Sequence, residues 1–393
     1  MIYLDHNSTT PLLDEAAAAM AEWQTTRFGN PASQHAIGRG ARKAIEHARE
    51  EIGRILGARC SQGDRVIFTS GGTEANNLAL LGMSGLADPN GVPGEAIISA
   101  IEHPSVTAAA QVLERRGWTI HRLGTTRDGV VDTAPLDELL NARTRLVSVM
   151  LANNETGVIQ PVAEIAARCR GLGVPMHTDA VQMVGKLAVD FRELEVTAMT
   201  VAAHKFHGPL GIGALVVRQD VRLEPLVVGG FQQEGLRGGT EPVALAVGMH
   251  AALAAWEREK LARAERLTLL RDRLESRLAR GYAGTLIVNG AHAGRLPHTS
   301  NVAFVGLDRQ ALVMALDLAG VACSTGSACA SGSSEPSPVL SSMGCDQEVL
   351  ASSVRFSLGA TTSQQEVDDA AERILAVSAR IAPAGRRDRS HAQ

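Results

Sequence analysis

Val201-Ala-Ala-His-Lys-Phe-His-Gly-Pro-Leu-Gly211 sets one lysine, Lys205, between an apolar run and a glycine-proline turn. An ammonium at the inner end of a hydrophobic strand is costly to bury unless it is paired, neutralised or chemically used. One such use is attack on an aldehyde, because desolvation lowers the amine's pKa and frees its lone pair. The alternative is a lysine that snorkels from a strand end and keeps its charge in water. This stretch alone leaves both readings open.

Upstream lies Val174-Pro-Met-His-Thr-Asp-Ala-Val-Gln182, a short apolar strand ending in an acid, then a helix-like start. An acid at the C-terminal end of a buried strand stands where open α/β sheets place their ligand chemistry. A cofactor that is an aldehyde, bonds to lysine and needs an acid opposite its ring nitrogen is pyridoxal phosphate. Asp179 would keep that nitrogen protonated; its competing role is a helix N-cap. The cofactor also needs a phosphate cup, and Arg65-Val-Ile-Phe-Thr-Ser70 runs as a strand into Gly71-Gly-Thr-Glu-Ala-Asn-Asn-Leu78. Glycines let backbone N–H groups at a helix start approach an anion, with Thr73 adding a hydroxyl or simply capping the helix.

The strand–helix alternation continues from residue 65 to 217, with strands read at 95–99, 119–123, 144–151, 198–202 and 213–217. That pattern means a mainly parallel sheet with helices on both faces. Helices are read at 38–56, at 136–142, at 161–171 and as a long region from 243 to about 278. After Glu95-Ala-Ile-Ile-Ser99, Pro104 suits a first helical turn, so His103 stands at a helix start above a strand end. There it either caps the helix or stacks on a cofactor and moves protons. Val227-Val-Gly-Gly-Phe-Gln-Gln-Glu-Gly-Leu-Arg-Gly-Gly-Thr240 is a glycine-rich loop too long for a tight turn. The pattern then changes to shorter strands near 286–289, 300–304 and 353–356 with helices at 309–319 and 365–380, which marks a second domain.

At 393 residues, 45% apolar and 20% charged, the chain is long enough for more than one domain of a globular protein. A net charge of -4 and 3% aromatic residues argue against nucleic-acid binding. There is no apolar run of membrane-spanning length and no signal-peptide pattern at the start, so a cytoplasmic location is expected. Five cysteines without export signals do not suggest a disulfide framework, and although Cys323 and Cys329 lie close enough to raise metal binding, no nearby His or further Cys completes a tetrahedral set.

Val321-Ala-Cys-Ser-Thr-Gly-Ser-Ala-Cys-Ala-Ser-Gly-Ser-Ser-Glu-Pro-Ser-Pro338 carries the second chemical landmark. Cys323 follows apolar residues and reads as a packed thiol, whereas Cys329 sits among Ser, Ala and Gly that cannot bury it. Access is one requirement of a reactive thiol; an electropositive setting is the other. In Ser352-Ser-Val-Arg-Phe-Ser-Leu-Gly359, Arg355 could grip a carboxylate through its planar fork or form a surface ion pair.

The chain resembles the cysteine desulfurases, pyridoxal-phosphate enzymes of the class V aminotransferase group, along almost its whole length. The resemblance rests on Tyr3-Leu-Asp-His-Asn-Ser-Thr-Thr-Pro11, Phe28-Gly-Asn-Pro-Ala-Ser33, Thr69-Ser-Gly-Gly-Thr-Glu74, Glu102-His103, Asn153-Asn-Glu155, His177-Thr-Asp-Ala-Val-Gln182, His204-Lys205, Gly238-Gly-Thr240, Gly326-Ser-Ala-Cys329 and Arg355-Phe-Ser-Leu-Gly359. It implies a fold-type I pyridoxal-phosphate transferase of the α/β class. The large domain would hold a mainly parallel, seven-stranded-type sheet flanked by helices, and a smaller α+β domain would follow. The expected boundaries are an N-terminal arm at 1–25 packing with the small domain, a large cofactor-binding domain at 26–255, a small domain with the catalytic cysteine loop at 256–385, and a disordered tail at 386–393.

By the same resemblance Lys205 holds the cofactor, Asp179 pairs its ring nitrogen, Gln182 contacts its ring oxygen, and His103 stacks on the ring and moves protons. Gly72, Thr73 and His204 bind the phosphate, with Thr240 reaching across from the second subunit of a homodimer. Asn154 lies beside the cofactor, Arg355 holds the carboxylate of L-cysteine, and Cys329 accepts the sulfur as a persulfide for transfer to an acceptor protein, an iron–sulfur scaffold or a thio-modification enzyme. One departure is Ala202, where many members have a phosphate-binding serine. Another is a short tail, unlike the extended end with which some members dock a scaffold. Rival readings are a selenocysteine lyase or another aminotransferase of this group, and a scaffold that keeps the fold without turnover.

Overall fold

A computed structural model describes residues 1–84, 92–326 and 335–382, so Cys329 and the tail at 386–393 lie outside the described residues. The chain runs β1 (Ile2–Tyr3), α1 (Asp14–Thr25), α2 (Ala36–Ile55), β2 (Arg65–Thr69), α3 (Gly72–Ser84), β3 (Glu95–Ser99), α4 (Pro104–Arg115), β4 (Thr119–Leu123), α5 (Leu136–Leu139), β5 (Thr144–Ser148), α6 (Val162–Gly171), β6 (Met176–Asp179), β7 (Ala198–Ala202) and β8 (Gly213–Val217). It continues with α7 (Val243–Gly281), β9 (Leu286–Val288), β10 (Thr299–Phe304), α8 (Arg309–Leu318), β11 (Val321–Ala322), α9 (Pro338–Ser342), α10 (Gln347–Ser352), β12 (Ser353–Ser357) and α11 (Gln364–Ile381).

Seven strands form one sheet in the order β2-β8-β7-β6-β5-β3-β4. All pairings are parallel except the two made by β8, which runs antiparallel to β2 and β7. The central strands are buried on both sides, and successive residues feed two different cores. Val66, Phe68, Ile97, Met199, Val201, Ala214 and Val216 face a core shared with α2 and the first half of α7. Ile67, Ala96, Ile98, Ala198, Leu215 and Val217 face one shared with α3 and α4.

The register decides where chemistry can gather. Thr69 and Ala202 are both paired with Gly213, so the chain leaving β2 and the chain leaving β7 start side by side. A Cβ on Gly213 would come 2.7 Å from the Gly71 carbonyl carbon and from the Val201 oxygen, so this approach requires glycine.

A third core joins the antiparallel sheet β12-β10-β9 to α8, α11 and the far half of α7. The helix α7 spans the first and the third: Met249, Leu253 and Trp256 belong to the first core, and Leu267, Leu270, Leu274 and Leu278 to the third. Ile2 and Leu4 pack in the third core, and β1 pairs in parallel with β11, a contact that periodicity did not suggest. Among the described residues no helix is long and apolar enough to cross a membrane.

Local departures from the sequence reading have physical causes. The helix expected after Asp179 is a run of turns, because Gly185 sits at φ +78° with Phe206 packed against it. Asp179 is therefore no helix cap; its Oδ1 accepts from the Val181 N–H at 2.9 Å. The strand expected at 144–151 ends at Ser148, yet Val149 and Leu151 still donate to the His177 and Asp179 carbonyls at 3.2 and 2.8 Å. The helical segment at 136–142 is the single turn α5.

Candidate active site

Asp179, at the end of β6, is 5% exposed. Its Oδ2 accepts from Asn76 Nδ2 at 2.7 Å, and the same nitrogen donates to Ser105 Oγ at 2.8 Å. Ser105 Oγ in turn lies 2.7 Å from His103 Nδ1. A continuous chain of side chains thus links Asp179 to His103. His103 is also the N-cap of α4, accepting from the Ser105 N–H at 3.1 Å, so capping and site placement coexist. Beneath it, Glu102 Oε1 accepts from Ser99 Oγ at 2.5 Å and from the Met150 N–H at 2.8 Å. Burial pushes the Glu102 carboxyl up to about 8 despite these bonds, so it is largely neutral at pH 7.

Gly72 opens α3 beside the end of β7. A Cβ there would come 3.1 Å from Val181 Cγ2 and 3.5 Å from the Ala202 Cβ. Ala202 therefore turns a methyl toward this notch. Thr73 is exposed in the first turn of α3. His204 Nδ1 lies 3.2 Å from Thr9 Oγ1. Burial, with Lys205 and Lys186 adding repulsion, pushes His204 down to about 4, so it is a neutral imidazole at pH 7. Thr240 is exposed at the end of the glycine-rich loop, which Arg237 ties to α3 through Glu74 at 2.9 Å.

The first residues of the chain bring the remaining groups together. Lys205 Nζ donates to the carbonyls of Asn7 and Ser8 at 2.6 and 2.7 Å. Gln182 Nε2 donates to the same Asn7 carbonyl at 3.2 Å. Arg355, 2% exposed in the middle of β12, donates from Nη2 to Asp5 Oδ1 at 2.7 Å and to Ser8 Oγ at 2.9 Å. Its Nη1 donates to the Asn154 carbonyl at 3.0 Å, which also accepts from Asn7 Nδ2 at 3.0 Å. Arg355 is thus buried, not a surface ion pair, and its Nε is a buried donor with no partner among the described residues. Behind the lysine turn, Lys186 donates to the Lys205 carbonyl. Burial and the nearby Lys205 and Arg263 push Lys186 down to about 7.

Asn7, Ser8, Asn76, Ser105 and Lys186 are the members that residue-by-residue reading passed over. Asn7 and Ser8 lie in a quoted motif, but they hold Lys205 through backbone carbonyls, which no side-chain pattern reports, in addition to their side-chain bonds to the Asn154 carbonyl and Arg355. Asn76 did leave a signal: it is a polar residue on the buried face of α3, between Ala75 and Leu78.

These residues fit pyridoxal phosphate. A buried carboxylate, an amine held on carbonyls and a glycine notch at the start of a 13-residue helix are the donor set that a pyridinium, an aldehyde and a phosphate require.

Sheet order, strand directions and the position of Asp179, Lys205 and Gly72 after the ends of β6, β7 and β2 define a fold-type I transferase. The family model described as aminotransferase class-V matches residues 2–369. Cysteine desulfurase IscS of Dictyoglomus turgidum is 41% identical over 391 residues, covering 97% of this chain and 96% of that protein. A solved NifS-like protein superposes with a TM-score of 0.89 at 31% identity, covering 96% of this chain and 99% of that one. The structure titled SspA in complex with cysteine gives 0.80 at 31% identity, over 92% and 100%. The chain belongs to the cysteine desulfurases of the class-V aminotransferase family, whose members are pyridoxal-phosphate enzymes.

Proposed function

We propose that the chain converts L-cysteine to L-alanine and takes the sulfur onto Cys329, with pyridoxal phosphate held by Lys205, Asp179, Gln182, His103, Asn154, Gly72, Thr73 and His204. The observation that carries this reading is the meeting of Lys205 and Arg355 on residues 5–8. It sets an amine that can take a cofactor aldehyde beside a fork that can take an amino-acid carboxylate.

When bound, the cofactor supplies an electron sink at the substrate's Cα. Asp179, backed by Asn76, holds the proton on the ring nitrogen that this sink requires. Arg355 fixes the carboxylate, with its fork oriented by Asp5, Ser8 and the Asn154 carbonyl. Lys205 would move the Cα proton, and His103 stands ready for a second transfer. The Cys329 thiolate forms the new S–S bond as the substrate's C–S bond breaks, and the electron pair remains on substrate carbon, which is protonated to alanine. L-cysteine plus thiol becomes alanine plus persulfide, with no external oxidant or reductant.

The persulfide then passes to a sulfur-acceptor protein, an iron–sulfur scaffold or a thio-modification enzyme. A homodimer in which Thr240 reaches the partner's phosphate suits that residue's exposed place on a loop. The test is alanine and sulfide production from L-cysteine with reductant present. Equal amounts are expected from the native protein and neither from Cys329→Ser; unchanged turnover in the variant would remove the persulfide step.

A further inference from the structure

Lys186 is 5% exposed, and no step of the reaction above uses it. It stands in the run of turns after β6, one residue beyond Gly185, and its Nζ donates to the Lys205 carbonyl. Burial and the positive charges of Lys205 and Arg263 push its amine down to about 7, and no carboxylate is among the groups that shift it. A lysine without an acid to pair is costly to bury, so its place there calls for a use. Its bond survives loss of the proton, because a neutral amine still carries two N–H donors.

The surrounding contacts hold the lysine turn from two sides. From the N-terminal segment, the Thr10 N–H and hydroxyl both donate to the His204 carbonyl, at 3.0 and 2.8 Å, and the same hydroxyl accepts from the His207 N–H at 2.7 Å. From the turns after β6, Gly185 packs on Phe206 while Lys186 takes the Lys205 carbonyl, so two consecutive residues meet two consecutive residues. A Cβ on Gly185 would fall 2.1 Å from the Phe206 Cβ, so this approach admits only glycine. The same segment reaches the other end of the Lys205 side chain. Gln182 Nε2 donates at 3.2 Å to the Asn7 carbonyl, which also accepts from Lys205 Nζ at 2.6 Å. Residues 182–186 thus touch both the main chain of Lys205 and the carbonyl that receives its amine.

We propose that Lys186 is a positioning residue for Lys205: by holding the Lys205 carbonyl from the segment that follows Asp179, it sets where the Lys205 amine stands relative to the groups that receive the cofactor. The inference rests on Lys205 being the cofactor lysine, whereas its test needs no turnover of cysteine. Removing the donor takes a hydrogen bond from a carbonyl in a buried turn and leaves that side of the turn to the Phe206 contact alone. The amine then loses its fixed place on the Asn7 and Ser8 carbonyls, and productive encounters with an aldehyde become rarer.

In the test, full-length protein is stripped of cofactor, pyridoxal phosphate is added back, and uptake is followed by absorbance. Borohydride reduction and peptide mass spectrometry then identify the lysine that carries it, expected to be Lys205. Lys186→Met removes donor and charge at similar size, Lys186→Gln keeps an amide one bond shorter in reach, and Lys186→Arg keeps a long donor. The Met and Gln variants should take up cofactor about tenfold more slowly and the Arg variant within about threefold of native, the scale of one hydrogen bond. In the loaded Met variant kcat for alanine should fall by a similar factor while KM for L-cysteine holds, because Arg355 is tied to Asp5, Ser8 and Asn154 rather than to Lys186.

Native-rate uptake in folded Lys186→Met, or a Lys186→Arg protein as slow as Lys186→Met, would overturn the proposal. So would slowing that merely follows a fall in melting temperature shared by all three variants, or a native label on any lysine other than Lys205. If Lys186→Met does not fold, Lys186→Gln decides it. A native protein that takes the cofactor on Lys205 but forms no alanine would count against the function and leave the positioning role standing.

Discussion

Asp179 and His103 are held differently from Lys205 and Arg355, although all four converge on one site. The first pair is joined by a relay of side chains, Asn76 and Ser105, on α3 and α4 of a single core. The second pair comes from different sheets, β7's exit and β12, and is joined through residues 5–8 of the chain. One half of the site is therefore completed when the large sheet folds. The other half requires the N-terminal segment to be laid between two cores, and a fault there separates amine from guanidinium.

The comparison predicts that damage to the N-terminal segment costs more than damage to the relay. Asn7→Ala removes the donations to Asn154 and Thr299 and the acceptance from His298 while leaving the carbonyl that Lys205 uses. We expect kcat/KM for L-cysteine to fall by about 100-fold, as small misplacements of reacting groups do. Both kcat and KM should change, because cofactor amine and substrate arginine lose register together. Asn76→Ala deprives Asp179 of a 2.7 Å donor but leaves the Val181 N–H in place. A fall of about tenfold in kcat with KM steady is expected, the scale of one hydrogen bond to a charged group. If steady-state kinetics gave the larger loss to Asn76→Ala, the contrast between the two halves would be broken.

A smaller effect separates packing from chemistry beneath His103. Glu102 is raised from an ordinary 4.5 to about 8 by burial, so the folded state keeps a proton that the unfolded chain has lost. Between those values the folded state binds more protons, and stability falls as pH rises through the window. Glu102→Gln removes that slope. Relative to the variant, the native melting temperature should drop by roughly 2–4 °C from pH 5 to pH 8.

Sequence reading reached the side chains that end strands and missed those that join elements. Lys205, Asp179 and His103 were legible because a buried strand followed by a polar residue points to a sheet edge. Lys186 was not, since its bond to the Lys205 carbonyl depends on how the turn after Asp179 folds back, and that turn was read as a helix. Gly185 could have corrected this, because φ +78° with Phe206 against it is no helical position. Gln233 shows the same limit: its side chain accepts from Phe68 N–H at 2.7 Å and donates to Phe68 O at 2.8 Å, filling a place on β2 that a strand would fill. Such a pairing leaves no periodic trace. The core around the small antiparallel sheet was legible as a change of rhythm, but the joining of β1 to β11 was not, because two residues are too few for a pattern.

The measurement that bears most directly on this account is the fate of sulfur in a single turnover. Purified protein is mixed with one equivalent of L-cysteine, and its cysteine-containing peptides are weighed under non-reducing conditions. The account predicts one added sulfur atom on the peptide that holds Cys329, with alanine formed in equal amount. Alanine without sulfur on Cys329, or sulfur carried by Cys323 instead, would contradict it.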